Sequence, residues 1–173
     1  MAKIATRDVF AQFMRMSVTC TAANTLSFAR VVLGTVLFEY AALILHRIEY
    51  DISADARGEM TADGDNITVA ITGSDTIGTL QSDQPEVYDF VIITQHDYGV
   101  AAVGDVSLKP IVHDFTTMPG GGMMVPFQDI YIGLNSTGLA SAATARLRAW
   151  WTIKELGPQD FLELVQRLRV LST

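Results

Sequence analysis

The sequence predicts an all-β protein, a sandwich of antiparallel sheets with a short helix at each end. Three observations favour this fold class. Apolar and polar residues alternate at a period of two, as in a strand with one buried face. Turn sequences rich in Gly, Asp, Asn and Pro separate these segments. The strand–helix–strand spacing that is typical of a parallel sheet does not occur. Hydrophobic residues make up 49% of the 173 residues and charged residues 18%, which indicates a globular chain with a sizeable core.

Residues 1–24 are predicted to form an N-terminal helical arm. Thr6 is suited to cap a helix. Apolar residues then follow at helical spacing on one side: Val9, Phe10, Phe13 and Met14. The segment contains neither Gly nor Pro. Phe13 and Met14 therefore make this arm a candidate for exchange between subunits or for contact with a membrane.

Residues 25–155 are predicted to form a β-barrel, and an eight-stranded single jelly roll is the natural form at this strand number. The sequence leaves open whether residues 31–45 are one bent strand or two. Alternation in the third strand places every second residue from Ile44 to Ile52 on the inner face, His46 included. No linker divides the chain, so we expect residues 1–173 to be one domain. The predicted strands are 26–33, 35–45, 46–52, 67–72, 86–96, 111–117, 127–134 and 145–154.

The last strand has two chemically different faces. Every second residue from Leu147 to Ile153 is apolar and is expected to face the core. Trp150 lies on the opposite face, between Arg146, Arg148 and Lys154. Residues 157–170 follow as an amphipathic C-terminal helix. We expect its apolar stripe to pack on its own sandwich rather than on a neighbour.

Aromatic residues and Arg dominate the energetics of protein interfaces, which suggests a subunit contact. We therefore predict interface roles for Trp150, Arg146, Arg148 and Tyr131, together with Phe13 and Met14 of the arm. The alternative is that Trp150 is covered by loops or by the helix of its own chain.

The net charge of −7 argues against nucleic acid as a direct partner, because a phosphate backbone requires a concentrated basic surface. The charge is unevenly distributed. Residues 49–114 carry thirteen acidic and two basic groups, whereas both flanking segments are slightly basic. Such a distribution would allow head-to-tail electrostatic docking between copies. The alternative is a solvated acidic surface.

Catalytic and cofactor motifs are weak. His46 is interpreted as a core histidine bonded to a backbone carbonyl. Residues 104–110 partly resemble the second motif of cupins, but Val112 and Phe115 stand where that motif has its Gly and its ligand His. A cupin-like metal enzyme that uses His96 and His113 therefore stays an alternative. A carbohydrate-type binding module is a further alternative. We expect no cofactor, no metal and no catalytic residue.

The acidic residues between positions 51 and 65 lack the order of a calcium loop. Solvated loop charges are the expected interpretation, and an ion that bridges subunits is the alternative. Cys20 is the only cysteine and is expected to be a small buried residue.

The order of these segments resembles a known family of viral proteins. The resemblance rests on about eight strands, the Gly-rich loop at 120–122, the turn in FQDIYIGLNSTG and the ending ARLRAWWTIKELGPQDFLELVQ. Together they are similar to the smaller of the two major capsid proteins of tailless icosahedral dsDNA viruses with an internal membrane. Viruses of this type infect Thermus bacteria and haloarchaea.

This resemblance implies a structural protein of the virion, made in the host cytoplasm. The barrel would form homodimers and would assemble with a second, larger capsid protein into a shell over a lipid vesicle. It implies no catalytic residues and no direct contact with nucleic acid.

Overall fold

The computed structural model describes residues 12–32, 40–53, 56–57, 59–95, 110–126 and 129–170. These residues form two antiparallel sheets that pack face to face. The strands of the described residues are β1 Gln12–Thr19, β2 Ser27–Val31, β3 Ala41–Ile52, β4 Asn66–Thr72, β5 Val87–Thr94, β6 Ile111–Asp114, β7 Met123–Pro126, β8 Ile130–Thr137 and β9 Thr144–Glu155. A C-terminal helix, α1, spans Pro158–Val170.

The strand pairings are nested in the manner of a jelly roll. One sheet has the order β1-β9-β3-β6, with β7 also paired to β3, and is called the five-stranded sheet. The four-stranded sheet has the order β2-β8-β4-β5. From the outermost pair to the innermost, β1 pairs with β9, β2 with β8, β3 with β6 and β7, and β4 with β5. This topology confirms the predicted all-β jelly-roll sandwich.

The described residues form nine strands, whereas eight are predicted. The nine strands occupy eight places in the two sheets. Strand β6 pairs with Arg47–Tyr50 of β3 and β7 pairs with Ala42–Leu45, so the two share one position beside β3. Strand β7 is not predicted from the sequence, because it has only four residues and directly follows a glycine run. The two strands predicted on either side of His46 form one continuous strand, β3.

The N-terminal helix is wrong for residues 12–19, which form β1 and pair with β9 from Gln12↔Trp151 to Thr19↔Thr144. The remainder of the predicted helix, residues 1–11, lies outside the described residues. Met14, Met16 and Val18 pack against the core, while the alternate residues point away from it. The alternation of Met14, Met16 and Val18 is typical of a strand, but the helical spacing of Val9 to Met14 favours a helix in the sequence alone. Pairing with β9 satisfies the backbone of the segment and overrides its local helical preference.

A β-bulge in β3 reverses the predicted side-chain pattern only up to His46, because Ile48, Tyr50 and Ile52 face the core as predicted whereas Ile44 does not. The register with β9 shifts between Leu45 and Arg47, which leaves His46 as the extra residue. Leu43 and Leu45 are therefore buried before the bulge, and Ile48 and alternate residues after it. The inward position predicted for His46 is wrong, but the predicted bond to a backbone carbonyl is confirmed.

His46 holds the glycine-rich loop against the outer face of β3. Its Nδ1–H donates to the carbonyl of Gly121 at 2.8 Å, and Nε2 lies 3.0 Å from Thr152 Oγ1. Gly120 and Gly121 have φ values of +92° and +77°, a region that favours glycine. A Cβ on Gly122 would lie 2.8 Å from the carbonyl oxygen of Leu45, so only glycine lets the chain cross β3 this closely.

The core lies between the sheets and includes the predicted inner face of β9. Leu147, Ala149 and Trp151 are buried, and Ile153 packs against them. Helix α1 begins at Pro158, and its Phe161 ring lies 5.8 Å from the ring of Tyr40. The helix packs on β7 of its own chain, as predicted. No helix of the described residues is long and apolar enough to span a membrane.

The loop between β4 and β5, residues 73–86, folds over the outer face of the four-stranded sheet. Leu80 of this loop is only 2% exposed. A Cβ on Gly133, which points away from the core between Ile132 and Leu134, would lie 2.6 Å from a Leu80 methyl and 3.0 Å from the Phe28 ring. The absence of a side chain at Gly133 therefore makes the site into which Leu80 inserts.

Candidate assembly surface

Aromatic and cationic side chains form a cluster on the outer face of the five-stranded sheet. Phe13 of β1 and Arg47 of β3 both lie opposite Trp150 of β9 in the strand register. The rings of Phe13 and Trp150 are 5.2 Å apart, and the Arg47 guanidinium lies 5.2 Å from the Trp150 ring. Arg15 lies 5.4 Å from the Phe13 ring. We call these four residues the aromatic–cation cluster.

The cluster exposes apolar surface although its members contact one another. Phe13 is 45% exposed, and Trp150 is half-buried between Phe13 and Arg47. Cation–π contacts of this kind contribute about 0.5–1 kcal/mol each at exposed sites. Trp150 is therefore partly covered by its own chain, and Phe13 is the more accessible aromatic.

A groove of about 340 Å³ lies on the same outer face. We call it the arginine groove, since three of its lining residues are Arg15, Arg146 and Arg148. Glu49 lies between two cations: Arg47 Nη2 donates to its Oε1 at 2.7 Å, and Arg148 Nη1 is 3.8 Å from its Oε2. The remaining lining residues are Met16, Ser17, Asp51, Pro110 and Leu147.

The structure places four of the six predicted interface residues on one outer face: Phe13, Arg146, Arg148 and Trp150. Met14 instead packs against the core. Tyr131 lies on β8, in the four-stranded sheet, so it does not share a surface with Trp150. An aromatic strip that joins Trp150 and Tyr131, as a carbohydrate-type module would need, is therefore not formed.

Arg15, Arg47 and Glu49 also belong to this surface, although they are not among the interface residues predicted from the sequence. Arg15 alternates with Met14 and Met16, a pattern that would have placed it outside the core had this segment been interpreted as a strand. Arg47 and Glu49 alternate with the predicted inner-face residues of β3, which places them on the opposite face. Their proximity to Trp150 depends on the β3–β9 register across the bulge, which no local pattern reveals.

A hydrogen-bonded bridge connects the two sheets on the core side. The Tyr50 hydroxyl donates to Asp89 Oδ2 at 2.7 Å, and His113 Nδ1 lies 2.8 Å from the same oxygen. Asp89 belongs to β5 in the four-stranded sheet, whereas its two partners belong to β3 and β6 in the other sheet. Burial, followed by the charge of Asp89 and the hydrogen bond to it, raises the pKa of Tyr50 well above its usual value.

The described residues do not form the ligand cluster that a metal enzyme would need. No group of three His, Cys, Asp or Glu side chains in this part of the chain converges as a metal site would require. His113 contacts Asp89, and His96 lies outside the described residues.

Two members of the acidic series bond to the backbone of turns. Asp65 is buried and accepts hydrogen bonds from the backbone N–H groups of Thr61 and Ala62 at 2.9 and 2.7 Å. Glu59 accepts hydrogen bonds from the hydroxyl and backbone N–H of Ser141, which lower the pKa of its carboxyl. These two carboxylates therefore anchor loops. Asp51 lines the arginine groove, and Asp55 lies outside the described residues.

Comparisons with known proteins show similarity at the level of fold. No protein-family model and no curated protein matches the sequence. A solved structure described as the unassembled pentamer of Merkel cell polyomavirus VP1 is similar, with a TM-score of 0.50 and 8% sequence identity. The similarity covers 87% of this chain and 97% of the VP1 chain. A chain from Bacillus endospore appendages, described as disulfide-linked pili, has 10% identity over 83% of this chain and 88% of its own. Its TM-score of 0.35 is too low to indicate a shared fold. The chain therefore has a jelly-roll fold similar to that of a viral VP1 protein.

Proposed function

We propose that this chain is a structural subunit of a viral capsid. The observation that carries the proposal is the nested jelly-roll topology, which is similar to VP1 over nearly the whole VP1 chain. VP1 is a jelly-roll capsid protein, and the structure that matches is described as a pentamer. Self-association is accordingly the property that we transfer to this chain. Its role is structural rather than catalytic.

The aromatic–cation cluster supports a role in subunit contact. Exposed aromatics beside Arg are the residues most often responsible for binding energy at interfaces. Phe13 is nearly half exposed on the outer face of the five-stranded sheet. We propose that it forms part of a homodimer or larger homo-oligomer interface, together with Trp150.

The finer proposals follow from the resemblance in sequence layout. We propose that the chain is a single domain that assembles with a larger sister capsid protein into an icosahedral shell over an internal membrane. The virus would be a dsDNA phage, and the protein would reach the virion from the host cytoplasm. A membrane between shell and genome removes the need for direct contact with nucleic acid, in agreement with the net charge of −7.

Light scattering on the purified protein, over a range of concentrations, tests self-association. The wild type is expected to form a dimer or a larger closed species. Phe13→Ser removes exposed apolar surface, so it should raise the dissociation constant, while loss of its contacts with Trp150 and Arg15 lowers the free energy of unfolding by only about 1 kcal/mol. Ile92→Ser is the matched control, because Ile92 is 47% exposed on the four-stranded sheet, away from the cluster.

Two results would contradict this proposal. A wild type that stays monomeric at every concentration would contradict the proposed homo-assembly. An equal loss of association in both serine variants would show that the effect is not specific to the aromatic–cation cluster. Electron microscopy of the protein after salt-induced assembly would then distinguish a closed shell from an irregular aggregate.

A further inference from the structure

The arginine groove has cationic groups without acidic partners. Arg146 is exposed, and neither Arg146 nor Arg15 forms an ion pair within the described part of the chain. Glu49 is already neutralised by Arg47 and Arg148. Asp51 also lines the groove, opposite Arg146 in the β3–β9 register, so three arginines and two carboxylates leave the lining with a net charge of +1 in a protein whose net charge is −7. Guanidinium groups recognise carboxylates through paired hydrogen bonds, so an acidic peptide segment suits the groove.

The loop between β4 and β5 is an acidic segment of suitable form. Residues 73–86 contain three acidic residues, Asp75, Asp83 and Glu86, and no basic residue. Asp75 and Asp83 are exposed, and in the described structure neither is paired with a cation. Burial of Leu80 fixes the loop on its sheet, so its carboxylates are presented with little loss of conformational freedom on binding.

The groove and the loop lie on opposite outer faces of the sandwich. The groove is on the five-stranded sheet, whereas the loop covers Gly133 on the four-stranded sheet. One chain cannot bring them together, because its own core separates them. A second copy can do so, and the contact is then head-to-tail, which generates a ring when the rotation closes and a chain of subunits when it does not.

We propose that the arginine groove of one copy binds the acidic β4–β5 loop of a second copy. This inference rests on the self-association proposed above and assigns it a surface and an orientation. It also differs from the aromatic contact in its physical signature. Exposed charge pairs weaken with salt because the screening length falls below about 8 Å above physiological ionic strength, whereas apolar contacts do not weaken in this way.

Charge reversal followed by restoration tests the inference. Arg146→Glu and the double substitution Asp75→Lys with Asp83→Lys should each raise the dissociation constant about tenfold, because like charges then face each other. Combining all three substitutions in one chain should restore most of the affinity. Lys154→Glu is the matched control: it makes the same charge change on the outer face of the same strand, outside the groove, and should have little effect. Sedimentation velocity at low and high salt measures the association, and circular dichroism checks the fold.

The outcomes separate this inference from the proposed capsid function. Restoration in the combined variant, with loss in each part, supports the groove–loop contact. Oligomerisation that persists unchanged in Arg146→Glu, or a combined variant as weak as its parts, refutes the contact and leaves capsid assembly through another surface intact. A wild type that remains monomeric at low salt refutes homo-assembly itself.

Discussion

Replacing Tyr50 by phenylalanine is the most direct test of the bridge that connects the two sheets. The Tyr50 side chain is fully enclosed, at 1% exposure, so Phe fills the same space and only the hydroxyl is lost. That hydroxyl donates to the carboxylate of Asp89 at 2.7 Å. A hydrogen bond to a charged group contributes about 1.5–3 kcal/mol.

The lower end of that range applies here for two reasons. His113 continues to donate to Asp89 when the Tyr50 hydroxyl is removed. The Asp89 side chain is also 15% exposed, so water can replace part of the lost bond. We therefore expect Tyr50→Phe to lower the free energy of unfolding by about 1.5 kcal/mol.

Urea unfolding at neutral pH, followed by circular dichroism, measures this loss. With an m-value of roughly 2 kcal/mol/M, the midpoint should fall by about 0.7 M. Tyr131→Phe is the control, because the Tyr131 hydroxyl makes no hydrogen bond to any described residue, and its effect should stay within about 0.5 kcal/mol.

A double-mutant cycle with His113→Gln extends the test. Both partners donate to the same carboxylate, so their effects should not be additive, with a coupling of about 0.5 kcal/mol or more. If the urea midpoint of Tyr50→Phe equals that of the wild type, the hydrogen bond from Tyr50 to Asp89 does not contribute to stability. The view of the bridge as a stabilising link between sheets would then be wrong.

Three further predictions concern loops and pH. Gly138→Ala should destabilise by about 1–3 kcal/mol, since φ is +81° and the new methyl would collide with the carboxylate of buried Asp65; Gly78→Ala, with nothing within 4 Å, is the neutral control in thermal unfolding. Leu80→Ala should lower stability by about 2 kcal/mol and increase proteolysis of the β4–β5 loop, and equal digestion rates would contradict its role as an anchor. Burial, then the charge of Glu86, raises the pKa of Tyr88 to about 12. The unfolded chain therefore loses this proton first, so between pH 10 and about 12 Tyr88 should lower stability by up to about 1.4 kcal/mol per pH unit. Tyr88→Phe should unfold at a urea midpoint that is less sensitive to pH in this window, and an unaltered pH dependence would count against the shift.

Part of the assembly surface could be predicted from the sequence. The alternation of the last strand separated Trp150, Arg146 and Arg148 from the core, and the structure places all three on the outer face. Side-chain alternation is a local property of an extended backbone, so one strand suffices to reveal it. Met14 and Tyr131 do not share this face, and neither the β1 strand nor the separation of β8 from β9 into different sheets is visible locally.

The sequence alone determined the all-β class, the amphipathic last strand and the C-terminal helix, since each depends on a periodicity within about a dozen residues. The tertiary structure alone decided where residues far apart in the chain meet. Phe13 lies against Trp150, and Tyr50, Asp89 and His113 meet between the sheets. Strand register fixes these contacts, and one extra residue at His46 is enough to reverse which side chains of β3 face the core.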